Sequence, residues 1–383
     1  MLARARGLLP DVGLLATWLA VVVTTTTVSL ASLDVPLDPA YARYDDLPVW
    51  LQSLVRWDSD FYLKIAEGGY GSPLFPAFYP LYPFSLRLLH AVGVPYAYAG
   101  VAVSWTAALV AVGYLRALAV DRFGAGDERV GRSVTLFLFA PGAFFLAAVY
   151  TEALFCALAF AAFAHARRGQ WFRACLALGL LTATRLPGAV VCVAVLVEYL
   201  AQRDFRLRRV DRSVLWFALA PLGLLAYVAY CAVVLGDPLA MLHAYDHGWA
   251  YQRFDPNIAG TVANSVVDLW HRAFDPGGPH LAALFRNGLG TVAWVFCLVV
   301  TLVSVRRQPA SYTVLALGTL VFISLNSNLQ AVNRYVLVLF PVVFALVGAR
   351  RLRSERPFTL LLLGSAAVML LSAGLFAHAR WVG

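Results

Sequence analysis

Apolar runs of about 20 residues, the length that crosses a bilayer, recur along this chain from residue 12 to residue 376 with only short polar breaks between them. In lipid a spanning segment must satisfy its own backbone hydrogen bonds, so a chain with this pattern folds as an all-α, polytopic membrane bundle. Of the 383 residues 61% are hydrophobic and 13% charged. The formal charge of +9 comes mostly from arginines in short clusters between apolar runs, which is the distribution that sets orientation in a membrane. A basic groove with interleaved aromatics is absent, so nucleic acid is excluded as a partner. The five cysteines lie inside apolar runs without CxxC spacing, which predicts neither disulfides nor a thiolate metal site. The first run, 12–30, follows Arg4 and Arg6 and lacks a small-residue cleavage site; it reads as a retained first span.

Arginine clusters at Arg4/Arg6, Arg122/Arg129/Arg132, Arg167/Arg168/Arg173, Arg203 to Arg212, Arg306/Arg307 and Arg350 to Arg356 should share the cytoplasmic side. An even number of crossings must therefore separate each pair. Parity makes the stretch 75–92, interrupted by Pro76, Pro80 and Pro83, a surface helix rather than a span. The runs 133–165 and 171–200 are too long for one crossing and read as hairpins. Their outer turns fall at Tyr150-Thr151-Glu152 and at Thr184 to Gly188. The remaining crossings are 213–235, 288–305, 311–325, 335–347 and 358–376, giving about eleven spans in a single membrane domain covering 1–383. Outer polar sequence is then concentrated in a first loop, 33–95, a second, 236–286, and the turn 326–334. Neither an internal repeat nor the two-half symmetry common in secondary transporters is present.

Acids and aromatics gather in Arg56-Trp57-Asp58-Ser59-Asp60-Phe61-Tyr62 and in Phe78-Tyr79-Pro80-Leu81-Tyr82-Pro83. A carboxylate held just outside the bilayer beside aromatic rings suits activation of a hydroxyl on a membrane-proximal substrate. Asp58 and Asp60, two apart, diverge by roughly 200° on a helix, so only one can face a given site. Both are candidate bases. Arg56, Trp57, Tyr62, Tyr79 and Tyr82 are the candidates for a surface around them that binds sugar and anion. The alternative is a solvated acidic loop that simply avoids the positive-inside signal. Asp-Ser-Asp also matches the short DxD pattern that holds a metal on nucleotide sugars, but no third oxygen ligand is evident, and a divalent metal stays open.

Arg185 and Arg334 fall at the outer ends of spans, where burying a charge is costly unless it is paired or used. Either could hold a phosphate through paired hydrogen bonds, with Tyr335 beside the second; the alternative is an internal ion pair such as Arg185 with Glu152. His243, His247, His271 and His280 admit a zinc reading that lacks an HExxH pattern or an acid ligand. The loop with Trp249, Tyr251 and Arg253 reads instead as a lid or acceptor surface, or as interfacial aromatics.

Arg56-Trp57-Asp58, then Ile65-Ala66 and Gly69-Tyr70, then Phe78-Tyr79-Pro80-Leu81-Tyr82-Pro83, resembles the first-loop signature of the PIG-V family, the second mannosyltransferase of GPI-anchor assembly and its prokaryotic relatives. The likeness extends to Tyr150-Thr151-Glu152-Ala153-Leu154-Phe155, to Arg185, to Gly236-Asp237-Pro238-Leu239 with Trp249, and to Arg334-Tyr335 with Phe340-Pro341. It departs in carrying an acid at Asp60 and a tyrosine at Tyr79.

The resemblance implies a GT-C integral-membrane glycosyltransferase that uses a polyprenyl-phosphate sugar as donor, with Asp58 at the active site. Transfer would be of mannose to an extracytoplasmic glycan or glycolipid, by inversion and without a required cofactor. Arginine-rich, lysine-poor usage, with Lys64 the only lysine, suggests a bacterial plasma membrane, the active site facing outward. Two alternatives stay open: a flippase of lipid-linked sugars, and the same fold with another sugar such as arabinose or glucose. Oligomeric state is not legible in the sequence.

Overall fold

The computed structural model describes residues 2–32, 39–248, 254–274 and 288–380. The helices, in chain order, are α1 (Leu2–Ser32), α2 (Val49–Gln52), α3 (Asp58–Gly68), α4 (Leu81–His90), α5 (Tyr96–Phe123), α6 (Glu128–Leu138), α7 (Glu152–Arg167), α8 (Trp171–Thr182) and α9 (Gly188–Ala201). They continue with α10 (Leu222–Tyr230), α11 (Ala240–Gly248), α12 (Ile258–Ala273), α13 (Leu289–Ser304), α14 (Ala310–Ser324), α15 (Val332–Tyr335), α16 (Phe340–Gly348) and α17 (Glu355–Ala377). Among the described residues there is no strand, only an isolated bridge between Phe254 and Asn326. Among the described residues the fold is all-helical, and five helical stretches are long and apolar enough to cross a membrane: Asp11–Ser32, Tyr96–Phe123, Arg212–Leu235, Leu289–Arg307 and Glu355–Ala377.

Helix α7 forms the centre. Its sequence, alternating Ala with Phe155, Phe160 and Phe163, is apolar on every face, and such a helix must be enclosed by others. The alanines let α5, α8 and α9 approach closely, while Phe160 and Phe163 meet Phe340 edge-on at 5.6 and 5.2 Å between centroids.

The run 133–165 is interrupted where the outer turn was expected. Helix α6 ends at Leu138, an irregular segment follows, and α7 starts at Glu152. The run 171–200 breaks likewise between Thr182 and Gly188. The stretch 75–92 folds into a 3-10 turn, Phe75–Ala77, and the ten-residue α4. At ~1.5 Å per residue α4 covers only half a hydrocarbon core. It is tied to the first loop by Arg87, whose Nε donates to the Ala66 carbonyl at 3.0 Å.

The arginine clusters meet one another at one end of the bundle. Arg122 donates to the Arg307 carbonyl (2.5 Å), and Arg132 to the carbonyls of Leu352 and Arg353 and to Glu355. Arg167 pairs with Glu198 at 3.0 Å, and Arg168 with Asp121 at 3.6 Å. Helix α7 runs from Glu152 to Arg167, so these two charged layers stand roughly 22 Å apart along its axis. The first loop, Glu152 and the turn before α15 occupy the other end.

Candidate active site

Four charged side chains from four distant segments converge beside the first loop. Arg334 Nη1 donates to Asp58 Oδ2 at 2.6 Å and lies 3.6 Å from Glu152 Oε1; Arg185 Nη1 donates to the same Glu152 oxygen. Side-chain exposure is 15% for Asp58, 9% for Arg334, 2% for Glu152 and 13% for Arg185, so this is a nearly dry cluster of two acids and two bases. Its formal charges cancel. Burial opposes the charge on Arg334, but Asp58 and Glu152 more than offset it and hold its pKa well above the ordinary arginine value. Aromatic faces complete the cage. The Arg185 guanidinium sits 4.3 Å over Tyr335, and Arg334 is 5.7 Å from the rings of Phe145 and Tyr150. A narrow cavity opens beside the cluster, lined by Glu152, Arg185, Arg334 and Tyr335 with Phe155 and Val191.

Local structure explains each placement. Asp58 is the first residue of α3, where the helix dipole favours a carboxylate. The residue before it, Trp57, takes a left-handed conformation (φ 55°, ψ −118°) that costs a tryptophan ~1–3 kcal/mol. Hydrogen bonds hold it there: the Trp57 amide donates to the Tyr41 hydroxyl (2.7 Å) and the Asp58 amide to that of Tyr150 (3.2 Å). Glu152 opens α7 in the same way. Arg334 follows Ala331, also left-handed (φ 62°), in a turn seated so closely on Gly142 that a Cβ there would lie 2.3 Å from the Asn333 carbonyl oxygen.

Asp60 is engaged elsewhere, as the two-residue spacing requires. It accepts from Tyr44 (2.7 Å) and pairs with Lys64 (2.6 Å), with Arg43 at 3.8 Å. The two acids of Asp-Ser-Asp therefore serve different partners. Arg56 points inward, 1% exposed, donating to the carbonyls of Ala377 (2.9 Å) and Val55 (2.8 Å); burial pulls its pKa down to about 10. Tyr82 is fully enclosed and bonds to the Gly100 carbonyl and Ser104, both at 2.9 Å. Tyr62 contacts Thr151 at 3.3 Å and stacks edge-on against Phe78 and Tyr82. Arg56, Tyr62 and Tyr82 thus build the floor that carries Asp58 rather than an open binding surface. Tyr79 packs on Tyr227 at 5.0 Å, its buried hydroxyl without a hydrogen-bond partner.

Trp249, Tyr251, Arg253 and His280 lie outside the described residues. His243 bonds through Nδ1 to Asp237 (2.7 Å), and no group of three metal-type ligands converges among the described residues. A residue that sequence reasoning missed is Tyr245 on α11. It lies within electrostatic reach of Tyr335, Arg185, Arg334 and Asp58, and burial pushes its hydroxyl pKa up. Its nearest sequence signal is the i, i+4 spacing from Met241, which packs in the cluster with Tyr79 and Tyr227.

The family model described as Mannosyltransferase (PIG-V) matches residues 45–257, which include Asp58, Glu152 and Arg185. A GPI alpha-1,6-mannosyltransferase 2 from Cricetulus griseus is 31% identical over 232 residues, 57% of this chain; the match spans only 44% of that relative's length. Among solved structures, ArnT from Cupriavidus metallidurans bound to undecaprenyl phosphate superposes with a TM-score of 0.53 at 15% identity, covering 96% of this chain and 76% of that one. At that identity the likeness is one of fold, the GT-C arrangement expected above.

Proposed function

Because the chain belongs to the mannosyltransferase (PIG-V) family, we propose that it transfers mannose from a polyprenyl-phosphate donor to an extracytoplasmic glycan or glycolipid acceptor, with inversion at the anomeric carbon. The observation that carries this reading is the neutral quartet of Asp58, Arg334, Glu152 and Arg185 at the membrane end away from the arginine clusters. The undecaprenyl phosphate in the ArnT structure supports a donor of that class.

In this mechanism the donor phosphate enters against Arg185 and Arg334 and takes over as counter-ion. Arg334 then releases Asp58, whose carboxylate accepts the proton of the acceptor hydroxyl as that oxygen bonds to the anomeric carbon. The sugar–phosphate C–O bond breaks, the electron pair leaves on the lipid phosphate, and the two guanidiniums stabilise that charge. Glu152 orients both arginines, and Tyr335 backs Arg185. As Asp58 gains the proton the leaving phosphate gains a negative charge, so the total charge of the site is the same before and after the step.

The same reading takes the protein as one membrane domain of about eleven spans, with 33–95 and 236–286 as outer loops, in a bacterial plasma membrane with the site facing outward. Membranes containing the full chain, supplied with radiolabelled polyprenyl-phosphate mannose, glucose or arabinose and extracted lipids or glycans, test the activity. Label should move from the mannosyl donor to an acceptor. Movement of intact sugar-lipid between leaflets without transfer would instead identify a flippase.

A further inference from the structure

At the arginine-rich end of the bundle, remote from the quartet, α13, α16 and the end of α5 enclose a cleft of about 440 Å³. Its walls are Val299, Val300, Val303, Phe344 and Leu346; its mouth carries Arg122, Arg129 and Arg307. The walls alone would suit any acyl chain. The mouth selects among lipids. Arg129 is neutralised by Asp127 through two bonds of 2.9 and 2.6 Å. Arg122 and Arg307 are exposed and have no acidic partner among the described residues; Asp121, the neighbouring acid, pairs with Arg168. The bond from Arg122 to the Arg307 carbonyl uses one of the five guanidinium donors and draws the two cationic residues together. Gln308 sits between them and the apolar wall. Its Nε2 is fixed to Pro341 O (2.8 Å) and Ser304 Oγ (3.0 Å), which anchors the side chain at the base of the mouth.

We infer that this cleft binds an anionic phospholipid of the inner leaflet, its phosphodiester on Arg122 and Arg307 and one acyl chain along Val299, Val303 and Phe344. Basic pockets between spans on the cytoplasmic side take anionic headgroups for the same electrostatic reason. Inorganic phosphate lacks the apolar half of the ligand, and a zwitterionic lipid places a second cation against the arginines.

The test uses the full-length protein in a neutral detergent, followed by thermal unfolding and native mass spectrometry. Phosphatidylglycerol, phosphatidylcholine and inorganic phosphate are added separately. Phosphatidylglycerol should raise the melting temperature and stay bound in the gas phase, while the other two should do neither. In Arg122→Gln/Arg307→Gln its affinity should fall about 25-fold, two arginines at ~5-fold each. Val303→Trp fills the exposed cleft with both arginines intact and should weaken binding too, so a folding defect in the double variant does not decide the matter. Equal stabilisation by phosphatidylcholine, or unchanged phosphatidylglycerol binding in both variants, overturns the inference.

Discussion

Replacing Asp58 by Asn separates chemistry from charge balance. The amide oxygen still accepts from Arg334, now 2.6 Å from Oδ2, so the contact survives as a neutral hydrogen bond. Two guanidiniums then share the single charge of Glu152 in a cluster in which no member exceeds 15% exposure. Breaking a buried pair costs ~3–5 kcal/mol; with the hydrogen bond retained and Asp58 at the open edge, ~1–3 kcal/mol is expected. The rate effect is separate, because Asn cannot take the hydroxyl proton, and losing a positioned base lowers kcat by ~10² to 10⁴. The double variant Asp58→Asn/Arg334→Gln restores neutrality. Its melting temperature should return toward that of the unsubstituted protein while transfer stays lost. The assay is transfer of labelled sugar in purified membranes, alongside unfolding of the detergent-solubilised protein. Wild-type transfer by Asp58→Asn would refute the assignment of the base. Recovery of transfer in the double variant would reduce Asp58 to a counter-ion.

Other substitutions probe the surroundings. Asp60→Asn should leave kcat within a few-fold and lower stability by ~1 kcal/mol, since it loosens partly exposed pairs with Lys64 and Arg43; a loss as deep as that of Asp58→Asn would transfer the base to Asp60. Arg185→Lys keeps one charge but cannot hold Glu152 and a phosphate with a planar fork, so the donor KM should rise ~10-fold or more, measured at saturating acceptor; an unchanged KM would leave Arg185 a purely structural partner of Glu152. Gly142→Ala must push the Asn333 carbonyl away by about 1 Å, and a displacement of that size in Arg334 should lower transfer ~10²-fold in folded protein. Single cysteines at Gly71 and Gly93 should both react with an impermeant thiol reagent from outside; labelling of Gly93 only after permeabilisation would make 75–92 a span.

Much of the bundle was legible because bilayer physics writes it into local sequence. The breaks at Glu152 and at 183–187 coincide with polar or proline-containing steps in otherwise apolar runs, and Asp58 and Asp60 part company because helical geometry forces it. The Arg185–Glu152 pair was accessible too, since both lie at turns on the same end. The Asp58–Arg334 bond was not. It joins residues 276 apart, and nothing local distinguishes a charge that will meet a partner from one left in solvent. Arg56, Tyr62 and Tyr82 share the composition of a ligand surface, yet burial turns them into scaffold, and burial is a property of the assembled bundle. Gly142 gave no signal, because its requirement comes from a carbonyl delivered by the far end of the chain.

That separation also orders the protein's biogenesis. Glu152 and Arg185 emerge 33 residues apart and can pair as soon as the helices on either side of them have been made. Asp58 has by then already left the ribosome, but Arg334 follows it only after 276 residues, roughly 15 to 55 s at ordinary rates of synthesis. Until then the forming site carries one negative charge too many, and a chain stalled before Arg334 would keep that charge unmatched. The Asp58–Arg334 bond is therefore the last of the quartet's contacts that synthesis permits, and the site becomes neutral only when the far end of the chain has been made.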